Sequence, residues 1–163
     1  MLKKVKNVRH RIPGGSFAIV ASRYNGRYVD AMLRAAQAEL KRAGAKNIQV
    51  VRVPGAFEIP AVAAKLSTLV PRPSAILCFG VVFQGQTSHA QHIGWGVTHA
   101  LAQIQIQQQL PVIHAVFVFE KEAHARVRCL GRKHNRGREA AQTALEMALV
   151  FDELDSTAPE PGY

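Results

Sequence analysis

A chain of 163 residues fits one domain and is long enough to bury a core of its own. With 48% hydrophobic and 20% charged residues, 12 Gly and 8 Pro, it falls in the globular range, outside the disordered, collagenous and coiled-coil classes. Two cysteines, Cys78 and Cys129, are too few for a disulfide scaffold, while a net charge of +10 raises a polyanionic partner as a first hypothesis.

The chain opens on a basic arm, residues 1–12, that leads into no apolar signal core, so a cytoplasmic protein is expected. Residues 16–21 form a β-branched and aromatic run read as a strand, and Arg23-Tyr24-Asn25-Gly26 is a turn signal. Residues 28–43 then place Val29, Met32, Leu33, Ala36 and Leu40 on one helical face, with Gly44 as the stop. A second strand over 48–53 is interrupted by Pro54-Gly55, and Pro60 suits a first helical position, which predicts a helix over 60–70 closed by Pro71 and Pro73. The apolar run 75–79 predicts a strand buried on both faces. A long helix over 88–109 turns Ile93, Val97, Leu101 and Ile104 inward, with Ser88 and Gln91 in capping-box spacing. Residues 112–118 form the fourth strand, and 138–151 the last helix of the domain, with Ala141, Ala144, Leu145 and Ala148 spaced for packing. An acidic, Pro-containing tail over 152–163 is expected to be loose. Strands alternating with helices predict an α/β fold, a three-layer αβα sandwich around a mainly parallel sheet.

Charge is distributed unevenly along this plan. Without the two tails the body still carries 16 basic against 7 acidic residues, and six of the basic ones lie between Arg126 and Arg138. That run is a candidate anion site. By contrast, the 47 residues 73–119 contain no Asp, Glu, Lys or Arg. Eight Gln, four His and Pro111 interrupt the stretch, so it is no membrane span, and two readings remain: surface buried between subunits, or a neutral face solvated through Gln.

In an open parallel sheet ligands gather at the carboxyl ends of the strands. Those ends carry Tyr24-Asn25, then Pro54-Gly55-Ala56-Phe57-Glu58, then residues 80–89, then 119–128. Gly85 permits close backbone approach, and the amides of Gln86, Thr87 and Ser88 at a helix start suit an oxyanion, though an ordinary strand-to-helix turn explains the segment about as well. His89 sits in the first turn, where the helix dipole favours the neutral imidazole that acts as a base; a structural histidine is the alternative. His92 and His99 share the helix and invite a metal reading, but neither a cysteine nor an acid stands at ligand spacing. Glu58 can accept bonds from sugar hydroxyls or be a solvated charge, and Tyr24 can stack on a heteroaromatic ring or cover the core. Arg128 and Arg136 offer planar donor forks for phosphate or carboxylate. Aromatic residues form no base-stacking pattern beside the basic run, so no nucleic acid partner is expected.

Val53-Pro54-Gly55-Ala56-Phe57-Glu58-Ile59-Pro60, the segment 80–89, and Asn135-Arg136-Gly137 leading to Glu139-Ala140-Ala141 resemble the 6,7-dimethyl-8-ribityllumazine synthases of riboflavin biosynthesis, over residues 16–151. The resemblance implies a four-stranded flavodoxin-like sheet and a transferase that condenses 5-amino-6-(D-ribitylamino)uracil with 3,4-dihydroxy-2-butanone 4-phosphate, without metal or organic cofactor. It further implies that Tyr24 stacks on the pyrimidine, with Asn25 and Phe57 in the same substrate set. Ala56 and Glu58 would hold the ribityl chain, Val81 and Val82 would present backbone groups to the ring, and Gly85, Gln86 and Thr87 would cradle the phosphate with Arg128. His89 matches the proton-shuttling residue. The family site lies between neighbouring subunits of a homopentamer, with His114 at the position of the neighbour's aromatic, and Arg136 belongs to the same substrate-binding set.

Three positions depart from the family pattern. Gln86 replaces a small residue, His114 a phenylalanine and Arg136 a lysine, so a non-catalytic flavin-binding or lumazine-binding shell protein is the alternative reading. Twelve pentamers form an icosahedral shell in some members, with riboflavin synthase as a potential partner. The short link 130–137 favours that shell, and the loss of a glycine at His134 disfavours it.

Overall fold

Strands that are apolar at odd and even positions alike must be covered on both faces. The computed structural model, which describes residues 10–157, does this with four strands, β1 (Ser16–Ser22), β2 (Asn47–Val53), β3 (Ala75–Phe83) and β4 (Val112–Phe119). Their order is β2-β1-β3-β4 and every pairing is parallel, so the sheet is wholly rather than mainly parallel. The helices are α1 (Gly26–Arg42), α2 (Ile59–Leu66), α3 (His89–Gln108), α4 (Glu122–Ala125) and α5 (Arg136–Thr157).

Alternate residues of the central strands feed two cores. Phe17, Ile19, Leu77 and Phe79 face α1 and α5, meeting Val29, Met32, Leu40, Ala144 and Leu145. Ala18, Val20, Ile76 and Cys78 face α2 and α3, meeting Ile59, Ala63, Leu66, Val97 and Leu101. Each fully buried Phe, Ile or Leu contributes on the order of 1.5–3 kcal/mol, and the two layers together build the αβα sandwich. Among the described residues no helix is long and apolar enough to cross a membrane.

Local chemistry sets the ends of the elements. Gly44 (φ +95°) stops α1 in a Schellman arrangement, with the Ala45 amide donating to Leu40 O and the Gly44 amide to Lys41 O. The second helix stops at Leu66 rather than continuing to residue 70. Ser67 and Thr68 hydroxyls donate to the Ala64 and Lys65 carbonyls, and the residue before Pro71 is disfavoured in helical geometry. Strand β3 runs on to Phe83, four residues past Phe79, because β4 continues to pair with it as far as Phe83↔Phe119. The segment after β4, expected as a loop, folds into α4 and a π-type turn, Arg126–Leu130. The last helix extends through Thr157, so residues 152–157 are helical rather than loose; the chain meets no helix breaker before Pro159. The arm over 1–9 and the tail over 158–163 lie outside the described residues.

Helices α1 and α5 touch backbone to side-chain position where Gly137 crosses Met32. A Cβ at Gly137 would lie 2.0 Å from the Met32 carbonyl oxygen, so the crossing admits only glycine. Gly137→Ala is therefore expected to destabilise the fold by roughly 1–3 kcal/mol, read as a lowered urea midpoint.

Candidate active site

Three strand ends are tied together on one side of the sheet. After β1 the Arg23 and Tyr24 amides both donate to the Pro54 carbonyl, at 3.2 and 3.1 Å, which locks the first turn to the second. Asn25 follows in left-handed geometry (φ 55°, ψ 38°), a conformation asparagine tolerates better than most residues. Its Nδ2 donates to the Val81 carbonyl at 2.7 Å and so joins the β1 turn to β3.

After β2 the chain makes a single 3₁₀ turn, Ala56–Glu58, braced by the Gly55 amide donating to Glu58 Oε2 at 2.9 Å. Gly80 seats this turn on the sheet. A Cβ there would lie 3.1–3.2 Å from Val116, Ala56 and Ile59, so the absent side chain lets the turn settle directly over β3. Ala56 is consequently buried, while Phe57 stays 64% exposed, facing outward as does Tyr24 at 73%. Apolar rings left this open in a polar loop are surface available for a flat ligand.

Between these turns lies a cavity of about 670 Å³. Tyr24, Asn25, Ala56, Phe57, Glu58, Val81, Val82 and His89 all line it, together with Gly55, Phe83, His92 and Ile93. Eight of the residues singled out in the sequence thus meet in one place, of a size suited to a small molecule. Of the additional ones, His92 carried a readable signal: it lies one turn beyond His89 on the same helix.

Gly85, Gln86 and Thr87 are exposed in the β3–α3 loop and do not line the cavity. The loop is held by Gln84, whose amide donates to Phe119 O at 2.8 Å and whose side chain donates to Thr87 O at 2.7 Å. A Cβ at Gly85 would meet nothing within 4 Å, so the space above this backbone is open. Ser88 makes no capping bond with the α3 amides; its Oγ instead pairs with His92 Nε2 at 3.1 Å, which replaces the capping box expected from Ser88 and Gln91.

Arg128 stands exposed on the π-type turn, outside the cavity lining. That turn is fastened at both ends. Glu122 accepts from Arg126 Nη2 at 3.2 Å and from the Tyr28 hydroxyl, and Asn135 Nδ2 donates to Cys129 O at 2.7 Å while its Oδ1 caps the Gly137 amide at 2.9 Å. The bond from Tyr28, then those from Arg126, hold the Glu122 carboxyl below its ordinary pKa. Burial keeps both thiols protonated, raising Cys78 well above its ordinary value and Cys129 to about 11, so neither is a nucleophile at neutral pH.

His114 and Arg136 lie elsewhere, on a second cavity of about 400 Å³ along β4, with Glu139 and Thr143 among its walls. His114 Nε2 pairs with Thr98 Oγ1 at 2.9 Å, and Arg136 is half-buried in an ion pair with Glu139 at 2.5 Å. Desolvation holds the His114 pKa below the ordinary value, against a smaller backbone contribution.

A wholly parallel α/β sandwich with a ligand-sized cleft at the carboxyl ends of its strands belongs to the small-molecule-binding α/β proteins. The sequence profile of the 6,7-dimethyl-8-ribityllumazine synthase family matches residues 14–152. Enzymes of that name from Stenotrophomonas maltophilia (38% identity, 85% of this chain and 90% of the relative) and Xanthomonas oryzae (36%, 88% and 94%) are similar along almost their whole length. So is that of Pyrococcus furiosus (36%, 89% and 90%). The chain belongs to the 6,7-dimethyl-8-ribityllumazine synthase family.

A lowered imidazole pKa has a defined effect on stability. Between the folded pKa of His114 and the unfolded value near 6.5 the unfolded chain binds more protons, so this group favours unfolding as pH falls below about 6.5. His114→Phe should therefore remove part of the parent's acid-side loss of stability, and urea midpoints at pH 8 and pH 5 should converge in the variant relative to the parent.

Proposed function

We propose that the protein condenses 5-amino-6-(D-ribitylamino)uracil with 3,4-dihydroxy-2-butanone 4-phosphate to give the lumazine, phosphate and water, as a cytoplasmic transferase. The observation that carries the reading is the convergence of Tyr24, Phe57, Glu58, Val81, Val82 and His89 on one cavity at the strand ends. Open rings at Tyr24 and Phe57 suit a pyrimidine, a carboxylate at Glu58 suits ribityl hydroxyls, and Val81 and Val82 stand at the cavity wall where their backbone would face the ring. The open space above Gly85, beside the α3 amino terminus, suits a phosphate, with Gln86, Thr87 and the exposed Arg128 side chain as further donors.

The chemistry asks for proton transfer and alignment. The 5-amino group attacks the ketone, water leaves to form a Schiff base, phosphate is expelled to leave an enol that becomes a ketone, and the ribityl-bearing nitrogen closes onto that carbonyl with loss of a second water. Imidazole at His89 would assist the proton steps by on the order of 10²- to 10⁴-fold, with the remainder from holding two reactants together. Mixing the purified protein with both substrates and following lumazine fluorescence tests the proposal; no product at high enzyme concentration defeats it.

His89→Ala is expected to lower turnover about 10- to 100-fold without abolishing it, since substrate alignment survives. Arg128→Ala should raise KM for the phosphate-bearing substrate and leave that for the pyrimidine nearly unchanged, as steady-state titration of each would show.

His114 and Arg136 line a cavity separate from the first, which fits residues supplied to the site by another copy of the chain. We further propose a homopentamer in which such a copy completes the site. The uncharged outer face of α3, with Trp95 69% and Ile106 74% exposed, supports contact between subunits. Light scattering should give a mass of at least five chains, and twelve pentamers if a shell able to enclose a riboflavin synthase forms.

A further inference from the structure

Two imidazoles line the cavity. His92 follows His89 by three residues on α3, which puts the two side chains on neighbouring positions of one helix face, about 5–6 Å apart at their Cβ atoms. His92 is also tied to a second exchangeable proton, since its Nε2 lies 3.1 Å from Ser88 Oγ. Both residues are exposed, so the pair reaches from the cavity wall to bulk water. Glu58 is the one carboxylate among the residues lining this cavity, and it is engaged with the Gly55 amide.

We propose that His92, coupled to Ser88, is a second proton carrier of the condensation, acting beside His89. This rests on the function proposed above. That reaction needs a proton taken from the attacking nitrogen and one given to the oxygen that departs as water, and two separate carriers can hold those opposite states at once. The Ser88 bond occupies Nε2, so exchange with substrate runs through Nδ1. As Nδ1 accepts a proton, Nε2–H passes its own to Ser88 Oγ, and the hydroxyl proton moves on to water. One proton enters and one leaves, and the imidazole returns to a neutral tautomer. The hydrogen bond forms in either tautomer, with the hydroxyl donating to a bare Nε2 or accepting from Nε2–H.

The second carrier would add to the activity that substrate alignment is expected to preserve in His89→Ala. His92→Ala removes both the carrier and the bond to Ser88, whereas His92→Gln keeps a side chain able to bond Ser88 but cannot relay a proton. Each is introduced alone and with His89→Ala, and kcat and KM for both substrates are measured by lumazine formation. The expected result is a loss of about 3- to 10-fold in kcat for either single His92 variant, a further loss of at least about 10-fold in kcat when combined with His89→Ala, and little change in either KM. Recovery of the double variant to the rate of His89→Ala when glutamine replaces alanine at 92 would make His92 a positioning residue and overturn the proposal. So would a double variant no slower than His89→Ala. Lumazine formation by the parent separates these outcomes from failure of the assigned reaction, since a parent without product removes that reaction and this inference together.

Discussion

Four independent attachments converge on the last turns of β3, and the arrangement of the cavity depends on them. Gly80 has no side chain, which lets Ala56 and Ile59 rest on the strand; the Val81 carbonyl takes the Asn25 side chain; Phe83 packs edge-on against Tyr28 at 5.6 Å; and Gln84 holds the loop that leads into α3. Together they tie the β1–α1 connection, the turn after β2 and the β3–α3 loop to one strand that lies between β1 and β4 in the sheet. The strand is paired with β1 as far as Phe79 and with β4 as far as Phe83, so β4 holds its end where the turns attach, and the first two turns are also tied to each other through the Pro54 carbonyl. Tyr28 carries the effect further, because its hydroxyl donates to Glu122 and thereby fastens the segment that bears Arg128.

The excess of positive charge is organised by the same contacts. Within the basic run, Arg126 is paired with Glu122 and Arg136 with Glu139, both from positions just outside or at the end of the run. These pairs lie at or near the surface and contribute little stability; their effect is orientation. Arg128 is left on a turn whose two neighbouring anchors, Glu122 and Asn135, point the segment without consuming its guanidinium. Arg128, exposed on the turn after β4, presents its planar guanidinium on the surface, where it can meet an anionic group.

His89 and His92 illustrate how a helix start gathers chemistry. The β3–α3 loop delivers the amino terminus of α3 to the cavity, and the three-residue spacing turns both rings the same way. Ser88 gives up capping the helix and bonds His92 instead, so the first turn trades a small amount of helix stability for a fixed imidazole.

Much of this was legible in the residues themselves. Alternation of apolar runs with helical periodicity identified the four strands and the main helices, because burial on both faces or on one stripe leaves a periodic trace, and the ordered motifs at 53–60, 80–89 and 135–141 carried the family resemblance. Element ends were less legible. Strand β3 outruns its apolar core because β4 supplies partners four residues further, α2 stops early on Ser67 and Thr68, and the helical segment 122–130 is held by Tyr28 and Asn135 from distant positions. The division of the chosen residues between two cavities was decided by tertiary structure alone. His114 and Arg136 share the sequence character of the other site residues, but His114 lies on the edge strand β4, beyond β3 from β1, and Arg136 opens α5, which packs on the α1 face of the sheet rather than on the α2 and α3 face that carries Glu58 and His89. Local sequence encodes which residues bear chemistry; strand order, set by nonlocal packing and the handedness of the crossovers, determines which of them can act together in one chain.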